Sequence, residues 1–274
     1  MITILQGMAE QRILEVPDSS IHLTVTSPPY SNQRHYAAGH DYDFQTIAKE
    51  LYRVTCEGGI VAWNEGLTCR KFDEESMTYE HVLRFKTVGF KLLQTIIIRK
   101  DSIPFPGKFR CGNQFEFCWL LLKGSRPRVF HKLELKDRPN KQAGQTKNVA
   151  VGRRGKDDAI GKTGKPILIQ PLGYRSNVWD VPVGFNKSTH DKIAYEHPAI
   201  QSESVSDALI RAYTKSGDYQ IPGDTVFDPF SGSGTTLKMA TVNGREAIGL
   251  ERSRRYVRLA AKRLKPYCKD IEIK

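Results

Sequence analysis

Residues 26–30 place a small hydroxyl, two prolines and an aromatic ring directly after an apolar, β-branched segment. An amino group on an aromatic ring is a poor nucleophile because its lone pair is delocalised into the ring. Two acceptors that bind its hydrogens can turn the lone pair outward, and Ser27 Oγ and the Pro28 carbonyl suit that role. Pro28 and Pro29 stiffen the backbone, and Tyr30 offers a ring for stacking. We predict that these four residues are catalytic; a rigid turn without chemistry is the alternative.

A second chemical signal is the glycine-rich sequence FDPFSGSGTT at residues 227–236. Glycine lets the backbone approach a ligand closely, and a following helix adds free N–H groups and a positive dipole end. About fifteen residues later, residues 248–251 end in an acid that suits the two hydroxyls of a ribose. We expect the ligand of this loop to contact eight residues: Asp228, Phe230, Ser231, Gly232, Ser233, Gly234, Thr235 and Glu251.

The elements that must position these groups follow from the apolar periodicity and the turn residues. Strands alternating with helices predict a largely parallel sheet covered on both faces. The strands are predicted at 2–6, 22–26, 59–63, 90–99, 115–122, 225–227 and 246–250. The helices are predicted at 44–55, 75–88, 203–215, 235–242 and 253–264.

The charge of the chain is unevenly distributed. Lys and Arg number 42 against 30 Asp and Glu, which gives a net charge of +12. Residues 123–165 alone hold 13 Lys and Arg and 4 Asp and Glu, with no lasting apolar period, so they account for most of this excess. This pattern predicts a loop-rich insertion that contacts nucleic acid; a solvated loop without a partner is the alternative. The candidate contacts are Lys147, Arg153, Arg154, Lys156 and Lys162.

Other kinds of site receive little support. The five cysteines form no Cys-x-x-Cys pair and no zinc-ligand spacing with histidine, so we expect reduced thiols and no metal. The sequence Gly161-Lys162-Thr163 lacks the earlier glycine and the preceding strand of a phosphate-binding P-loop. No apolar run is long enough to span a membrane, and no signal-peptide pattern begins the chain.

The two motifs, in this order, resemble those of beta-class (permuted) DNA amino-methyltransferases, most closely the cytosine-N4 enzymes of restriction–modification systems. The resemblance implies an α/β, Rossmann-like, circularly permuted sheet that binds S-adenosylmethionine and carries a basic target-recognition insertion. It assigns 1–122 to the catalytic half, 123–175 to the insertion and 176–274 to the cofactor-binding half.

The resemblance also implies a function: site-specific methyl transfer from S-adenosylmethionine to the amino group of a base flipped out of duplex DNA. A serine at the first position of the catalytic motif, here Ser27, favours methylation of cytosine N4, and adenine N6 is the alternative. Methylation of carbon 5 requires a cysteine nucleophile, usually after a proline, and it is excluded because no cysteine of this chain follows a proline. An RNA methyltransferase and an inactive DNA-binding scaffold are further alternatives. We expect a cytoplasmic, bacterial or phage-encoded protein, associated with the nucleoid through DNA. It would act as a monomer or weak homodimer, with any cognate restriction endonuclease acting separately.

The sequence departs from the family pattern at three places, one of which is a few extra residues at 218–222 before the strand that leads to the glycine-rich loop. Relatives often end their first strand in Gly-Asp, with the acid on the adenine amino group of the cofactor, whereas this chain has Gly7-Met8. Relatives also tend to show Phe-Pro after the segment 197–199, where this chain has Gln201-Ser202. The departure at Gly7-Met8 predicts that the contact to the cofactor's adenine is absent or replaced.

Overall fold

The computed structural model describes residues 1–29, 41–67, 69–70, 73–74, 77–102, 109, 111–135, 138–150, 163–218 and 221–274. Most of these residues surround one central sheet of nine strands. In chain order the strands are β1 (Ile2–Gln6), β2 (Ile21–Thr26), β3 (Thr55–Gly66), β4 (Lys91–Lys100), β5 (Phe115–Leu122), β6 (Val178–Val181), β7 (Thr225–Asp228), β8 (Glu246–Glu251) and β9 (Ile271–Ile273).

The spatial order of the strands is β6-β4-β5-β3-β2-β7-β8-β1-β9. Strand β5 runs antiparallel to its two neighbours, and the other pairs of this sheet are parallel. The carboxyl ends of the parallel strands therefore meet at one edge of the sheet, together with the amino end of β5. The expectation of a largely parallel α/β sheet is confirmed.

The five longer helices lie where the periodicity predicts them. They are α1 (Phe44–Val54), α2 (Met77–Val88), α3 (Glu203–Tyr213), α4 (Thr235–Val242) and α5 (Arg254–Leu264). Asp43 caps α1 by accepting from the backbone N–H groups of Gln45 and Thr46. Shorter helical turns occupy Ala9–Arg12, Ile13–Glu15 and Lys192–Glu196.

The core fills both faces of the sheet. On one face, α1 and α2 pack against a cluster that includes the fully buried Trp63, Phe85 and Phe227. Val226 is also fully buried and, as the neighbour of Phe227 along β7, it points to the other face. Helices α3, α4 and α5 add their own fully buried side chains, among them Leu209. The result is a sheet between two helical layers, as expected of a Rossmann-like fold.

Residues Lys132–Ser176 form a compact unit of their own. It contains a helical turn, Lys132–Leu135, and two short antiparallel strand pairs. Arg138–Pro139 pairs with Leu172–Gly173, and Thr146–Ala150 pairs with Thr163–Leu168. The segment whose composition predicts many loops thus also contains short β-structure. Within the described part of the chain, no helix is long and apolar enough to cross a bilayer.

Candidate active site

A cavity of about 650 Å³ extends along the edge where the parallel strands end. A volume of this size suits a ligand as large as a nucleoside derivative. Its wall includes residues that follow β1, β2, β7 and β8, and residues at the near ends of β3, β4 and β5. Ligands of open α/β sheets bind in the crevice outside the carboxyl ends of the strands.

The catalytic loop predicted from the sequence enters this cavity. Strand β2 ends at Thr26, and Ser27, Pro28 and Pro29 follow in the cavity wall. Pro28 is buried, while Ser27 and Pro29 are partly exposed to the cavity. Tyr30, the fourth predicted residue, lies outside the described residues.

One hydrogen bond connects the catalytic loop to the glycine-rich loop. Thr26 Oγ1 donates to Asp228 Oδ1 over 2.7 Å, although 202 positions separate the two residues in the chain. The same carboxylate oxygen accepts from the backbone N–H of Phe230 at 3.0 Å, which begins the turn after β7. These bonds therefore join the end of β2, which leads into the catalytic loop, to the turn after β7, which begins the glycine-rich loop.

The glycine-rich loop is shaped by backbone contacts that glycine permits. Gly232 has φ +49°, and a Cβ there would lie 2.9 Å from His197 Nε2. Gly234 has φ +79° and precedes the first residue of α4. Ser231 donates its N–H and its hydroxyl to the Leu250 carbonyl, at 2.9 and 3.0 Å. The loop is thereby held against the end of β8, where Glu251 lies.

Glu251 binds the backbone of this loop through its carboxylate. Its Oε2 accepts from the Gly232 N–H at 2.9 Å and its Oε1 from the Ser253 N–H at 2.7 Å. Burial raises the pKa of Glu251 to about 7, against the lowering effect of these two bonds. Burial likewise raises the pKa of Asp228 to about 6. A carboxylate held by two N–H groups keeps lone pairs for further donors, such as ribose hydroxyls.

The structure thus brings together most of the predicted cofactor residues. Phe230 packs on Tyr42, with ring centroids 4.8 Å apart. Gly234 supports α4 and does not line the cavity. The predicted residues in the cavity wall are Asp228, Phe230, Ser231, Gly232, Ser233, Thr235 and Glu251.

Arg263 supports the glycine-rich loop from α5. Its guanidinium donates to the carbonyl and hydroxyl of Ser233 at 3.1 and 3.2 Å, and to Thr235 Oγ1 at 2.9 Å. It also pairs with Asp191 and Glu203 at 2.9 and 2.7 Å. Arg263 is only 2% exposed. The sequence presents it as one more cation of a basic helix, so this contact escaped prediction.

The cavity wall contains further polar residues that the sequence did not single out. Relatives often carry an acid at the position of Met8. In this chain Glu10, two residues further on, lines the cavity. At the other end of the cavity lie Asn64, Lys100 and Glu116, from three different strands. Only the strand pairing brings these three together.

Of the predicted nucleic-acid contacts, Lys147 lies in the strand Thr146–Ala150 of the separate unit. The other four, Arg153, Arg154, Lys156 and Lys162, lie outside the described residues. Among the residues that the structure describes, no cluster of His, Cys, Asp and Glu could hold a metal ion.

A family model described as DNA methylase, of the N6 and N4 methyltransferase type, matches residues 21–262. The chain belongs to this family. This chain is 42% identical over 252 residues to the orphan methyltransferase M.BamHII of Bacillus amyloliquefaciens. That alignment covers 92% of this chain and 91% of that protein.

Solved structures share the fold of this DNA methylase. The PvuII DNA methyltransferase, named as cytosine-N4-specific, superimposes with a TM-score of 0.69 at 20% identity, covering 96% of this chain and 86% of that one. A putative DNA modification methylase of Thermus thermophilus, solved with S-adenosylmethionine, gives a TM-score of 0.62 at 20% identity over the whole of both chains. The Rossmann-like fold expected from the sequence is confirmed.

The DNA methylase is therefore an S-adenosylmethionine-dependent enzyme that methylates amino groups of bases in DNA. The resemblance inferred from the two motifs, and the cofactor, are confirmed. The observed site fits that cofactor, because the glycine-rich turn at Gly232 and the carboxylate of Glu251 lie together in the cavity wall. The roles of individual residues remain predictions.

Proposed function

We propose that this protein methylates N4 of a cytosine that is flipped out of duplex DNA at one short sequence. The observation that carries the proposal is the hydrogen bond that Thr26 donates to Asp228. It fixes the catalytic loop beside the glycine-rich loop within one cavity. A methyl acceptor at Ser27 and a methyl donor at Gly232 would thus meet without any large movement of the protein.

The residues of the catalytic loop would activate the amine. Ser27 Oγ and the Pro28 carbonyl accept its two hydrogens, so that the lone pair turns toward the methyl donor. Tyr30 stacks on the flipped base. When bound, S-adenosylmethionine would supply a methyl group directly to nitrogen from its positively charged sulfur, which leaves as a neutral thioether, and the amine would release one proton to solvent. No side chain has to form a covalent intermediate.

The residues of the glycine-rich loop would bind the cofactor. Glu251 accepts from the ribose hydroxyls, and the backbone N–H groups around Ser233, at the start of α4, face the methionine carboxylate. Asp228 anchors the loop to β2. Glu251 is half-buried and held by two N–H groups, which leaves it with spare acceptor capacity and supports a role in binding hydroxyls.

Two observations favour cytosine. Ser27 stands where adenine-N6 enzymes more often carry Asp or Asn, and the similar PvuII structure is named as cytosine-N4-specific. The alternative is adenine N6, since the matching family covers both amino groups. Both amines fit the same pair of acceptors.

The basic segment would hold the DNA. Its Lys and Arg, including Arg153, Arg154 and Lys156, would contact phosphates, and some would read guanine edges. M.BamHII, the similar protein of Bacillus amyloliquefaciens, is named an orphan methyltransferase. We propose that this protein acts as a monomer or weak homodimer and that any cognate restriction endonuclease acts separately.

The test is to map methylated bases in DNA from cells that express the wild-type protein or Ser27→Ala. The wild type should place N4-methylcytosine in one short sequence motif. Ser27→Ala should lower transfer at least about 100-fold, because an acceptor of the amine is lost, while the protein still binds S-adenosylmethionine. Ser20→Ala, in an exposed turn, is the matched control and should stay active.

The outcomes separate the parts of the proposal. N6-methyladenine in place of N4-methylcytosine would keep the site and overturn the base. An active Ser27→Ala protein would overturn the role of the catalytic loop. A wild-type protein that binds the cofactor but methylates no DNA would overturn the proposed function.

A further inference from the structure

A polar cluster, formed by Asn64, Lys100 and Glu116, lies in the cavity wall away from the glycine-rich loop. Lys100 Nζ pairs with Glu116 Oε1, and Asn64 Nδ2 donates to Glu116 Oε2 at 3.0 Å. Taking a lysine and a glutamate partly out of water costs free energy unless their contacts are well made. The polar cluster thus places an ammonium and a carboxylate in the cavity wall, where a ligand can reach them.

The strand register places the polar cluster beside the catalytic loop. Thr26 pairs with Trp63, so Ser27 comes level with Asn64 on the neighbouring strand β3. Strand β5 is next, with Glu116, and Lys100 lies at the end of β4 beyond it. Neighbouring strands lie about 4.8 Å apart, so the cluster extends roughly 5–15 Å from Ser27.

This position corresponds to the side left for the base. The glycine-rich loop follows β7, which is the other neighbour of β2. A cofactor held by that loop would occupy the β7 side of Ser27. A base whose amine binds at Ser27 must therefore extend its ring toward β3 and β5, where the polar cluster lies.

The hydrogen bonds within the polar cluster leave some of its donors and acceptors available to a ligand. Both carboxylate oxygens of Glu116 are used within the cluster. Asn64 is 4% exposed, and its Oδ1 has no hydrogen-bond partner among the described residues. A buried acceptor of this kind calls for a donor from outside the protein. The Lys100 ammonium has three N–H donors, of which Glu116 takes one. From Ser27 outward, the wall thus offers an acceptor and then donors.

Cytosine presents the complementary order. Its pairing edge reads amino donor, then the N3 acceptor, then the O2 acceptor, whereas the adenine edge ends in a C–H group. We propose that the polar cluster reads this edge: Lys100 donates to N3 and O2 of the flipped cytosine, and Asn64 Oδ1 accepts an N4 hydrogen shared with Ser27. Glu116 is the positioning residue that aims both side chains. This assignment rests on the proposed function and gives a physical reason for cytosine over adenine.

The experiment compares duplexes that carry cytosine or 3-deazacytosine at the mapped target position. The wild type should lose about 10- to 100-fold in kcat/KM on 3-deazacytosine, because its N3 acceptor is replaced by C–H. Lys100→Met should lose a similar factor on cytosine and show little further loss on 3-deazacytosine. Its dissociation constant for S-adenosylmethionine should stay within about twofold of wild type, since the cluster lies away from the glycine-rich loop.

Two more variants make the result specific. Lys91→Met removes the same charge from the exposed start of β4 and should retain wild-type discrimination between the two bases. Glu116→Gln keeps the size of the side chain but releases the ammonium. It should raise KM and weaken the discrimination less than Lys100→Met does, which a purely structural role would not produce.

The possible failures are distinguishable. If the wild type methylates cytosine and the losses from Lys100→Met and 3-deazacytosine simply multiply, Lys100 does not contact N3 and the assignment falls while the proposed function stands. If the wild type methylates adenine alone, both fall.

Discussion

Two pairs of buried or half-buried acids lie on the two sides of the glycine-rich loop, and the protein treats them differently. The cavity acids, Asp228 and Glu251, receive hydrogen bonds from N–H groups and threonine hydroxyls but, within the described part of the chain, from no Lys or Arg. Burial consequently raises their pKa values, to about 6 and about 7.

The paired acids, Asp191 and Glu203, lie outside the cavity wall and share two cations. Lys238 and Arg263 each contact both carboxylates at 2.7 to 2.9 Å. Burial alone would raise the pKa of Asp191, but these cations lower it below its usual value. The paired acids each have two cationic partners, whereas Glu251 of the cavity acids keeps lone pairs for the donors of a ligand. The scaffold side of the loop is thus optimised for stability and the cavity side for binding.

The largest expected effect is on the scaffold side. Arg263→Met should lower the free energy of unfolding by about 3–5 kcal/mol, because two carboxylates lose a buried partner. Urea denaturation followed by circular dichroism would measure it. Arg258→Met, on the exposed side of the same helix, is the matched control and should change stability by less than about 0.5 kcal/mol. Equal effects of the two variants would contradict the distinction between the two pairs of acids.

The next effect concerns the cavity side and pH. Because the pKa of Glu251 rises from 4.5 to about 7 on folding, the folded protein holds this proton more tightly than the unfolded chain. Its contribution to the free energy of unfolding therefore falls as pH rises through that window, by up to about 3 kcal/mol. Glu251→Gln should remove this fall, as measured by urea denaturation at a series of pH values.

The same variant should bind the cofactor less well. Losing charged acceptors for the ribose hydroxyls should weaken binding of S-adenosylmethionine about 10- to 100-fold at a pH of about 8, measured by calorimetry. Glu246→Gln, on the same strand but outside the cavity wall, should bind as wild type does. Unchanged affinity in Glu251→Gln would refute the ribose assignment, whatever the stability data show.

The smallest effect tests the shape of the loop. Gly232→Ala should cost about 1–2 kcal/mol of stability for the positive φ, and more because its Cβ meets His197 Nε2 at 2.9 Å. Gly144→Ala is the control, since Gly144 has φ +83° and, among the described residues, nothing within 4 Å of a Cβ. The difference between the two variants isolates the His197 contact, and no difference would mean that the loop yields easily.

Local signals explain how much of this molecule can be predicted from sequence. The helix–strand alternation, the strand into Ser27 and the turn at Gly232 all depend on residues close together in the chain. Helix α1 is a good example, since the helical spacing of Ile47, Leu51 and Val54 predicts most of its extent and its buried face. Strand β6, at the edge of the sheet, has only four residues and no comparable signal.

The remainder depends on contacts between distant segments. Asn64, Lys100 and Glu116 belong to three strands, and nothing local distinguishes them from surface polar residues. Arg263 lies among seven other Lys and Arg between positions 252 and 269, yet it alone of these is buried, and it points toward Ser233. Its role depends on Asp191 and Glu203, which reach it from other parts of the chain.

Strand β1 gives the topology a consequence for biosynthesis. Residues 2–6 pair with β8 and β9, near the other end of the chain, so that Ile2 lies opposite Ala247 and Ile271. At roughly 5–20 residues per second, the ribosome needs on the order of ten to fifty seconds to complete these partners. For that time Ile2 and Ile4, both fully buried in the folded protein, remain uncovered. Strand β1 therefore lacks both of its neighbouring strands until residues 246–273 have been synthesised, and during this interval it can pair wrongly.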